Sequence, residues 1–263
     1  MTRRHAELLM YTAPEPIRAA NERWLAQILD HLGHSRLSAE GLSLPELWLS
    51  PDLLLTQTCG YPLMTALNGR VRLVGRPRYE LPDSGAGHHC SLILARATDP
   101  RSALADFRGS RGVINSDDSN SGMNLLRQRL APLQREGRFF GSVGHSGGHR
   151  ESLRWLREER ADLAAIDSVT YAYLARHAAV EVEGLRVVER SEPSPTLPFI
   201  TRIGATDEQA ENLRQAMNRA LRALPDVAQT LGLPEVLPAN ESDYRILLGY
   251  RDEAQALGYG HVQ

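Results

Sequence analysis

Small hydroxyl and amide side chains are concentrated at one point of the sequence, between an apolar run and a helical pattern. The segment Ser119-Asn120-Ser121-Gly122 follows residues 112–115, which predict a strand, and precedes leucines at helical spacing. A helix that begins in such a segment leaves backbone N–H groups without partners, and its dipole adds positive potential. Serine hydroxyls add donors, and glycine lets a ligand approach the backbone. The segment predicts an anion-binding turn, with simple helix capping as the alternative that the segment alone favours.

Two further predicted strands end in polar groups. The strand predicted at 139–143 runs into a second small-residue turn, residues 144–149, which closes with His149 at the start of a helix. The strand predicted at 162–166 ends at Asp167, for which an N-cap role is the alternative. Because ligands of open parallel sheets bind at the carboxyl ends of the strands, we expect the three segments to share one edge.

Earlier in the chain, one loop occupies a similar position, after a predicted strand. Residues 52–56 form a continuous apolar run that predicts a buried strand, and the loop after it contains Gln57 and Tyr61. Another strand is predicted at 91–96, and His89 and Ser91 lie at its start. Gln57 and Tyr61 are added to the predicted ligand-binding set by their position, and His89 and Ser91 are added by the family resemblance described below. Strands are also predicted at 6–11, 71–74, 185–188 and 197–201, with amphipathic helices between them and after the last.

Composition excludes several classes of function. The 263 residues carry a net charge of −2, which gives no electrostatic case for nucleic acid or an anionic membrane. All 30 basic residues are arginine. A chain without lysine cannot use a Walker A loop, a pyridoxal Schiff base or a lysine nucleophile, so no cofactor is predicted.

The cysteines and histidines do not predict a metal site. Cys59 and Cys90 are too far apart for a metal knuckle, and the sequence leaves open whether they are thiols or form a bond. His88 and His89 are adjacent, and neighbours in an extended strand point to opposite faces, so one ion cannot easily use both. For His145 we favour a surface position.

Three motifs, in this order and spacing, resemble the substrate-binding proteins of phosphate, phosphite and phosphonate ABC transporters. They are residues 118–122, 146–153 and 161–171. The resemblance runs over nearly the whole chain and is strongest over 107–201. It implies a type 2 periplasmic-binding-protein-like α/β fold of two lobes, 1–95 with 196–263 and 96–195. Each lobe would hold a mainly parallel sheet flanked by helices, with the ligand in the cleft between them.

The resemblance also implies roles. In that family the serine-rich turn holds the phosphonate oxygens, a histidine matches His149, and the acidic residue that matches Asp167 reads the other end of the ligand. The chain departs from the family pattern at three positions: Asn120 stands where threonine is common, Gly148 where serine is common, and His89 where an aromatic residue is usual.

These observations predict reversible binding of a small phosphorus oxyanion for an ABC-type uptake system, with a transporter permease as partner and no catalysis. The resemblance places such a protein in the periplasm. The N-terminal apolar stretch is too short for a signal peptide or a membrane span, so a cytoplasmic ligand sensor is the first alternative. An enzyme using Ser121, His149 and Asp167 is the second, less favoured alternative.

Overall fold

A computed structural model describes residues 2–263, which divide into two compact units. The first comprises the chain up to His88 together with Pro195–Tyr244, and the second comprises His89–Ser194 and Arg245–Gln263. Among residues 2–263, no helix is both long and apolar enough to cross a bilayer. Cys59 and Cys90 are both thiols.

The strands are short, and most of them begin or end at the turns that the sequence indicates. In chain order they are β1 Thr2–Ala6, β2 His34–Arg36, β3 Leu53–Gln57, β4 Val71–Arg78, β5 Ser84–Gly85, β6 His88–His89, β7 Ser91–Arg96, β8 Arg111–Ile114, β9 Ser142–His145, β10 Leu163–Asp167, β11 Leu185–Arg190, β12 Ser194–Pro195, β13 Phe199–Arg202 and β14 Glu235–Leu237.

The α-helices alternate with the strands along much of the chain. They are α1 Glu15–Leu32, α2 Leu44–Trp48, α3 Gly60–Met64, α4 Leu125–Leu130, α5 His149–Arg157, α6 Ser168–His177, α7 Asp207–Ala223, α8 Pro225–Leu231, α9 Glu241–Tyr244 and α10 Ile246–Ala256. A single π-helical turn, Asn120–Asn124, precedes α4, and 3₁₀ turns occur at Leu104–Phe107, Ala131–Leu133 and Ala179–Glu181.

The first unit is built on a six-stranded sheet of order β14-β4-β13-β3-β1-β2. The strand β3 is buried along its whole length, as its continuous apolar sequence predicts. Helix α1 packs on α7 and α8, and Trp24 in α1 donates from its indole nitrogen to the Met217 carbonyl at 3.1 Å. The predicted first strand lies too late in the sequence, because β1 ends at Ala6.

The second unit is built on a five-stranded sheet of order β11-β7-β10-β8-β9. The three neighbours β10, β8 and β9 run parallel, whereas β7 is antiparallel to both β10 and β11. The core of this unit brings Leu92, Val113 and Ile166 of the sheet together with Leu153 and Leu156 of α5. This parallel trio positions the three polar segments that the sequence singles out.

The structure corrects two details of the expected architecture. Both sheets are mixed, because strands β7 and β13 begin where the chain passes from one unit to the other and run against their neighbours. Strand β7 and residues 245–263, expected in the first lobe, belong to the second unit. Helix α10 packs on α4, and the amide of Asn124 donates to the Leu247 carbonyl at 3.1 Å.

Asp162, just before β10, anchors the edge of the second sheet that lies opposite the polar segments. It accepts from the Arg111 backbone N–H and guanidinium and from Arg96, at 2.9–3.0 Å. Burial raises the pKa of Asp162, but the Arg111 and Arg96 hydrogen bonds outweigh it, so this pKa lies well below its usual value. The ionised form therefore contributes stability above the usual pKa of about 3.9, and this contribution is lost as the pH falls through the lower folded-state pKa.

We expect Asp162→Asn to lower the unfolding free energy by about 2–3 kcal/mol at pH 7, because hydrogen bonds to a buried charge are lost. Denaturant titrations at several pH values measure the difference, which should shrink below about pH 4 as the unfolded wild-type chain takes up its proton. Asp226→Asn is the control, since its pair with Arg23 is exposed. An equal loss in both variants would contradict the anchoring role.

Candidate functional site

The polar segments meet at one edge of the second sheet. Because β10, β8 and β9 are parallel neighbours, their carboxyl ends lie side by side. These ends lead to α6, to the π-helical turn and to α5, respectively. Strand β7 begins at the same edge, where Ser91 pairs in register with Asp167. The structure therefore brings eight of the ten predicted residues together in the second unit, and all but Gln57 and Tyr61 belong to it.

Ser119 caps the π-helical turn. Its Oγ accepts from the Gly122 N–H at 3.0 Å, and its carbonyl accepts from the Asn124 N–H at 3.0 Å. The segment therefore forms a helix cap, which was the alternative to anion binding in the sequence analysis. It does not exclude anion binding, because a hydroxyl that accepts one bond keeps its own proton to donate.

Asn120 is engaged on both sides of its amide. Its Nδ2 donates to Ser194 Oγ at 2.8 Å, and its Oδ1 accepts from Asn124 Nδ2 at 3.2 Å. Arg127 donates to Asn124 Oδ1 at 2.6 Å. Asn120 therefore connects the turn to a buried polar network and holds it in place. Sequence reasoning missed Ser194, since only the fold brings a residue 74 positions away to this turn.

Gly122 is required for a reason that the sequence does not reveal. A Cβ atom built on it would lie 1.9 Å from Asn115 Oδ1 and 3.3 Å from His149 Cε1. The absence of a side chain at Gly122 therefore lets the side chain of Asn115, which directly follows β8, pack against the backbone of the turn. The Asn115 Oδ1 atom is buried and accepts no hydrogen bond within residues 2–263.

Ser121 and His149 are in direct contact. The Ser121 Oγ lies 2.9 Å from His149 Nε2, and the Ser91 hydroxyl donates to the Ser121 carbonyl at 2.8 Å. His149 is the first residue of α5, and Gly148 occupies the N-cap position in an extended conformation. Three strand ends thus fix the position of one hydroxyl.

Burial lowers the pKa of His149, and the nearby His89 acts in the same direction, whereas the Asp167 carboxylate and the Ala165 carbonyl oppose the shift. The imidazole is therefore neutral at pH 7 without a ligand. In the tautomer that is protonated at Nδ1, Nε2 carries the lone pair and accepts the Ser121 proton across the 2.9 Å contact.

Asp167 has partners on both carboxylate oxygens. As N-cap of α6 it accepts from the Thr170 N–H at 2.9 Å, and His89 Nδ1 lies 2.9 Å from its other oxygen. Burial raises the pKa of Asp167, but His89, His149 and the Thr170 N–H outweigh this effect, so the pKa lies below its usual value. The buried carboxylate is therefore ionised at pH 7, with a backbone N–H on one oxygen and an imidazole nitrogen beside the other.

Gln57 and Tyr61 belong to the first unit. The Gln57 amide is buried and donates to the Leu197 carbonyl at 2.9 Å, and Tyr61 lies in α3. Their role in ligand binding stays a prediction. His145 contacts Asp117 at 3.1 Å on the surface, in the exposed position favoured for it.

His88 is exposed while its neighbour His89 is buried. Within residues 2–263, no group of three or more histidine, cysteine or acidic side chains is arranged to hold a metal ion. A cavity of about 240 Å³ opens elsewhere, in the first unit, beside Arg4 and Arg202, and none of the predicted site residues lines it.

The model of one protein family, described as the periplasmic substrate-binding protein of phosphonate ABC transporters, matches residues 50–244. The match covers about three quarters of the chain and all three motif segments. The chain belongs to this family. The family assignment that the motifs predicted is thereby confirmed, and with it the function class of a substrate-binding protein. No curated protein sequence matches the chain significantly.

Solved structures with the same fold include phosphonate-binding relatives. A binding protein component of an ABC phosphonate transporter from Pseudomonas aeruginosa is 15% identical with a TM-score of 0.81, over 97% of this chain and 87% of that one. PhnD1 from Prochlorococcus marinus, solved in complex with methylphosphonate, is 9% identical with a TM-score of 0.74, over 97% and 98%. The alkanesulfonate-binding protein SsuA from Xanthomonas axonopodis, bound to MOPS, is 15% identical with a TM-score of 0.66, over 98% and 93%. At such low identities these neighbours show the fold.

We expect Gly122→Ala to reduce the unfolding free energy by about 1–3 kcal/mol, because its methyl group overlaps the Asn115 amide and overpacking has costs of this size. Denaturant unfolding measures the loss. The matched control is Gly148→Ala. A Cβ atom at Gly148 meets nothing within 4 Å, and the backbone of Gly148 is extended, so alanine is accommodated without strain. Equal stability of the two variants would contradict the assigned packing.

Proposed function

We propose that the serine-rich turn and His149 bind a phosphonate or a related small phosphorus oxyanion reversibly, and that the protein delivers it to an ABC transporter. The observation that carries this proposal is the contact between Ser121 and His149 at 2.9 Å, at the edge where three parallel strands end. It supplies a hydroxyl beside a titratable imidazole. The relative from Prochlorococcus marinus, whose structure contains methylphosphonate, supports the same ligand class.

Hydrogen-bond donors rather than fixed cations make this chemistry reversible. Ser119 keeps its hydroxyl proton for a ligand oxygen while it caps the turn. Hydrogen bonds to an anionic oxygen are short and charge-assisted, roughly twice as strong as neutral ones. A doubly charged anion can therefore be held without a bidentate arginine.

The proton on His149 decides what Ser121 offers to the ligand. When the neutral imidazole carries its proton on Nδ1, Ser121 donates to Nε2 and presents only lone pairs to an anion. When the imidazole is protonated, Nε2–H donates to Ser121 Oγ, and the serine proton turns to the ligand. An adjacent anion favours the charged imidazole. Binding of a dianion is therefore coupled to proton uptake by His149.

The same contact could suggest a serine nucleophile, but the third member of such a triad is engaged elsewhere. Asp167 accepts from Thr170 and contacts His89, and His149 Nδ1 makes no hydrogen bond to a carboxylate within residues 2–263. A nucleophilic serine needs a base that a third group orients, usually a carboxylate. We therefore propose binding with no covalent step.

Delivery to a transporter distinguishes this function from a ligand sensor. We propose a permease as the partner and the periplasm as the location, because both are properties of the family to which the chain belongs. Fractionation of the native host tests the location, and recovery of the protein only in the cytoplasm would favour the sensor.

We expect methylphosphonate to bind, and we expect His149→Gln to weaken binding by about ten- to a hundredfold, because the loss of a hydrogen bond to a charged group costs about 1.5–3 kcal/mol. Isothermal titration calorimetry measures both affinities. His145→Gln is the control, since that side chain is exposed on the surface. Equal losses in both variants, or no binding of phosphate, phosphite or methylphosphonate by the wild type, would contradict the proposal.

The coupled proton gives a second prediction. At a pH where methylphosphonate is already a dianion, we expect the wild type to take up close to one proton per ligand bound, and His149→Gln to take up fewer. The apparent binding enthalpy, measured in buffers of different ionisation enthalpy, reports this number directly. If His149→Gln took up as many protons per ligand as the wild type, the claim that His149 is the group protonated on binding would be contradicted.

A further inference from the structure

The pair formed by His89 and Asp167 has a property that the binding proposal does not use. Both side chains are almost completely buried, and they meet at 2.9 Å. The second oxygen of Asp167 accepts from the Thr170 N–H. Both carboxylate oxygens therefore have partners within the chain, and the negative charge lies against an imidazole that can carry the opposite charge.

The other nitrogen of His89 has no such partner. Both ring nitrogens are buried and neither meets hydrogen-bond geometry within residues 2–263, but Nδ1 has the Asp167 carboxylate 2.9 Å away, whereas Nε2 has no ion-pair contact either. A buried polar atom without a partner is costly, and such atoms in folded proteins call for a specific explanation. A bound ligand would supply the missing partner.

His89 belongs to the same cluster as the proposed anion-binding groups. Both His89 and Asp167 are close enough to His149 to change its pKa, and His149 contacts Ser121. His89 lies two residues before Ser91, whose hydroxyl donates to the carbonyl of Ser121. His89 and Asp167 therefore lie at the same sheet edge as the proposed phosphorus-binding groups, where β7 and β10 pair in register.

We propose that His89 contacts the substituent on the phosphorus atom of the ligand. Asp167 is a positioning residue that acts by holding His89. The site consequently selects phosphorus oxyanions without a positively charged substituent. This inference rests on the proposed function and adds the class of substrate to it.

The discrimination follows from the charges. An ammonium group on the ligand needs an acceptor, and the buried carboxylate of the cluster, which would be the natural one, is already engaged on both oxygens. To reach it, the ligand would have to displace His89. An uncharged alkyl group or a further anionic oxygen can bind without displacing His89. The anionic oxygen can also accept a hydrogen bond from Nε2 of His89 when this imidazole is protonated.

The test uses two ligands of the same size. n-Propylphosphonate and 2-aminoethylphosphonate differ by a methyl group in place of an ammonium group, and calorimetry gives the ratio of their affinities. We expect the wild type to favour n-propylphosphonate by at least tenfold. In His89→Gln, which leaves Asp167 without its imidazole, this ratio should shift by tenfold or more towards 2-aminoethylphosphonate.

Two further variants isolate the cause. Adding Asp167→Asn to His89→Gln should restore the preference for n-propylphosphonate, because asparagine still caps the helix but carries no charge. His88→Gln, a change at the exposed neighbour, should leave the ratio unchanged. A general loss of stability would weaken both ligands together and would not move the ratio.

The outcomes separate this inference from the proposed function. Tight binding of 2-aminoethylphosphonate by the wild type, at or above the affinity for n-propylphosphonate, would overturn the inference and leave phosphorus-oxyanion binding intact. An unchanged ratio in folded His89→Gln would also overturn it. If no phosphorus oxyanion bound to the wild type, the proposed function and this inference would both be contradicted. The wild-type ratio alone decides the matter if the variants do not fold.

Discussion

The parallel pairing of β10, β8 and β9 is the constraint on which the site depends. It places the carboxyl ends of three strands side by side, so that the π-helical turn, the start of α5 and the cap of α6 lie at one edge. The antiparallel neighbour β7 begins there too and adds His89 and Ser91. No single segment could place Ser121 against the His149 imidazole; the paired strands bring the two together, and the Ser91 and Ser119 hydroxyls fix the turn.

At this edge, hydrogen bonds that stabilise the fold leave donors available for the proposed ligand. Ser119 caps its turn as an acceptor and keeps a proton to donate, and Asp167 caps α6 with one oxygen while the other holds His89. Capping and binding are therefore compatible uses of these residues. His149, neutral because it is buried, makes the number of available donors depend on a proton. In the proposed mechanism, charge at the site is adjusted through histidine, in a chain that has no lysine.

Much of the fold could be predicted from sequence, because apolar runs such as Leu53–Gln57 and the small-residue turns mark strands and their ends. The family followed from three motifs. Sequence could not show that His89 pairs with Asp167 or that Asn120 bonds Ser194, since these residues are 78 and 74 positions apart and only tertiary structure joins them. For the same reason the prediction misassigned the C-terminal helix, whose amphipathic pattern does not say which surface it covers.

The most direct test of the account is long-range proton–nitrogen NMR of the imidazoles in protein labelled at its nine histidines. Titration with methylphosphonate should shift the His149 nitrogens from the pattern of a neutral imidazole towards that of a charged one, with an accompanying change at His89. The exposed His88 and His145 should not respond. A His149 signal that stays unchanged while the ligand binds would contradict the claim that this histidine and Ser121 hold the anion.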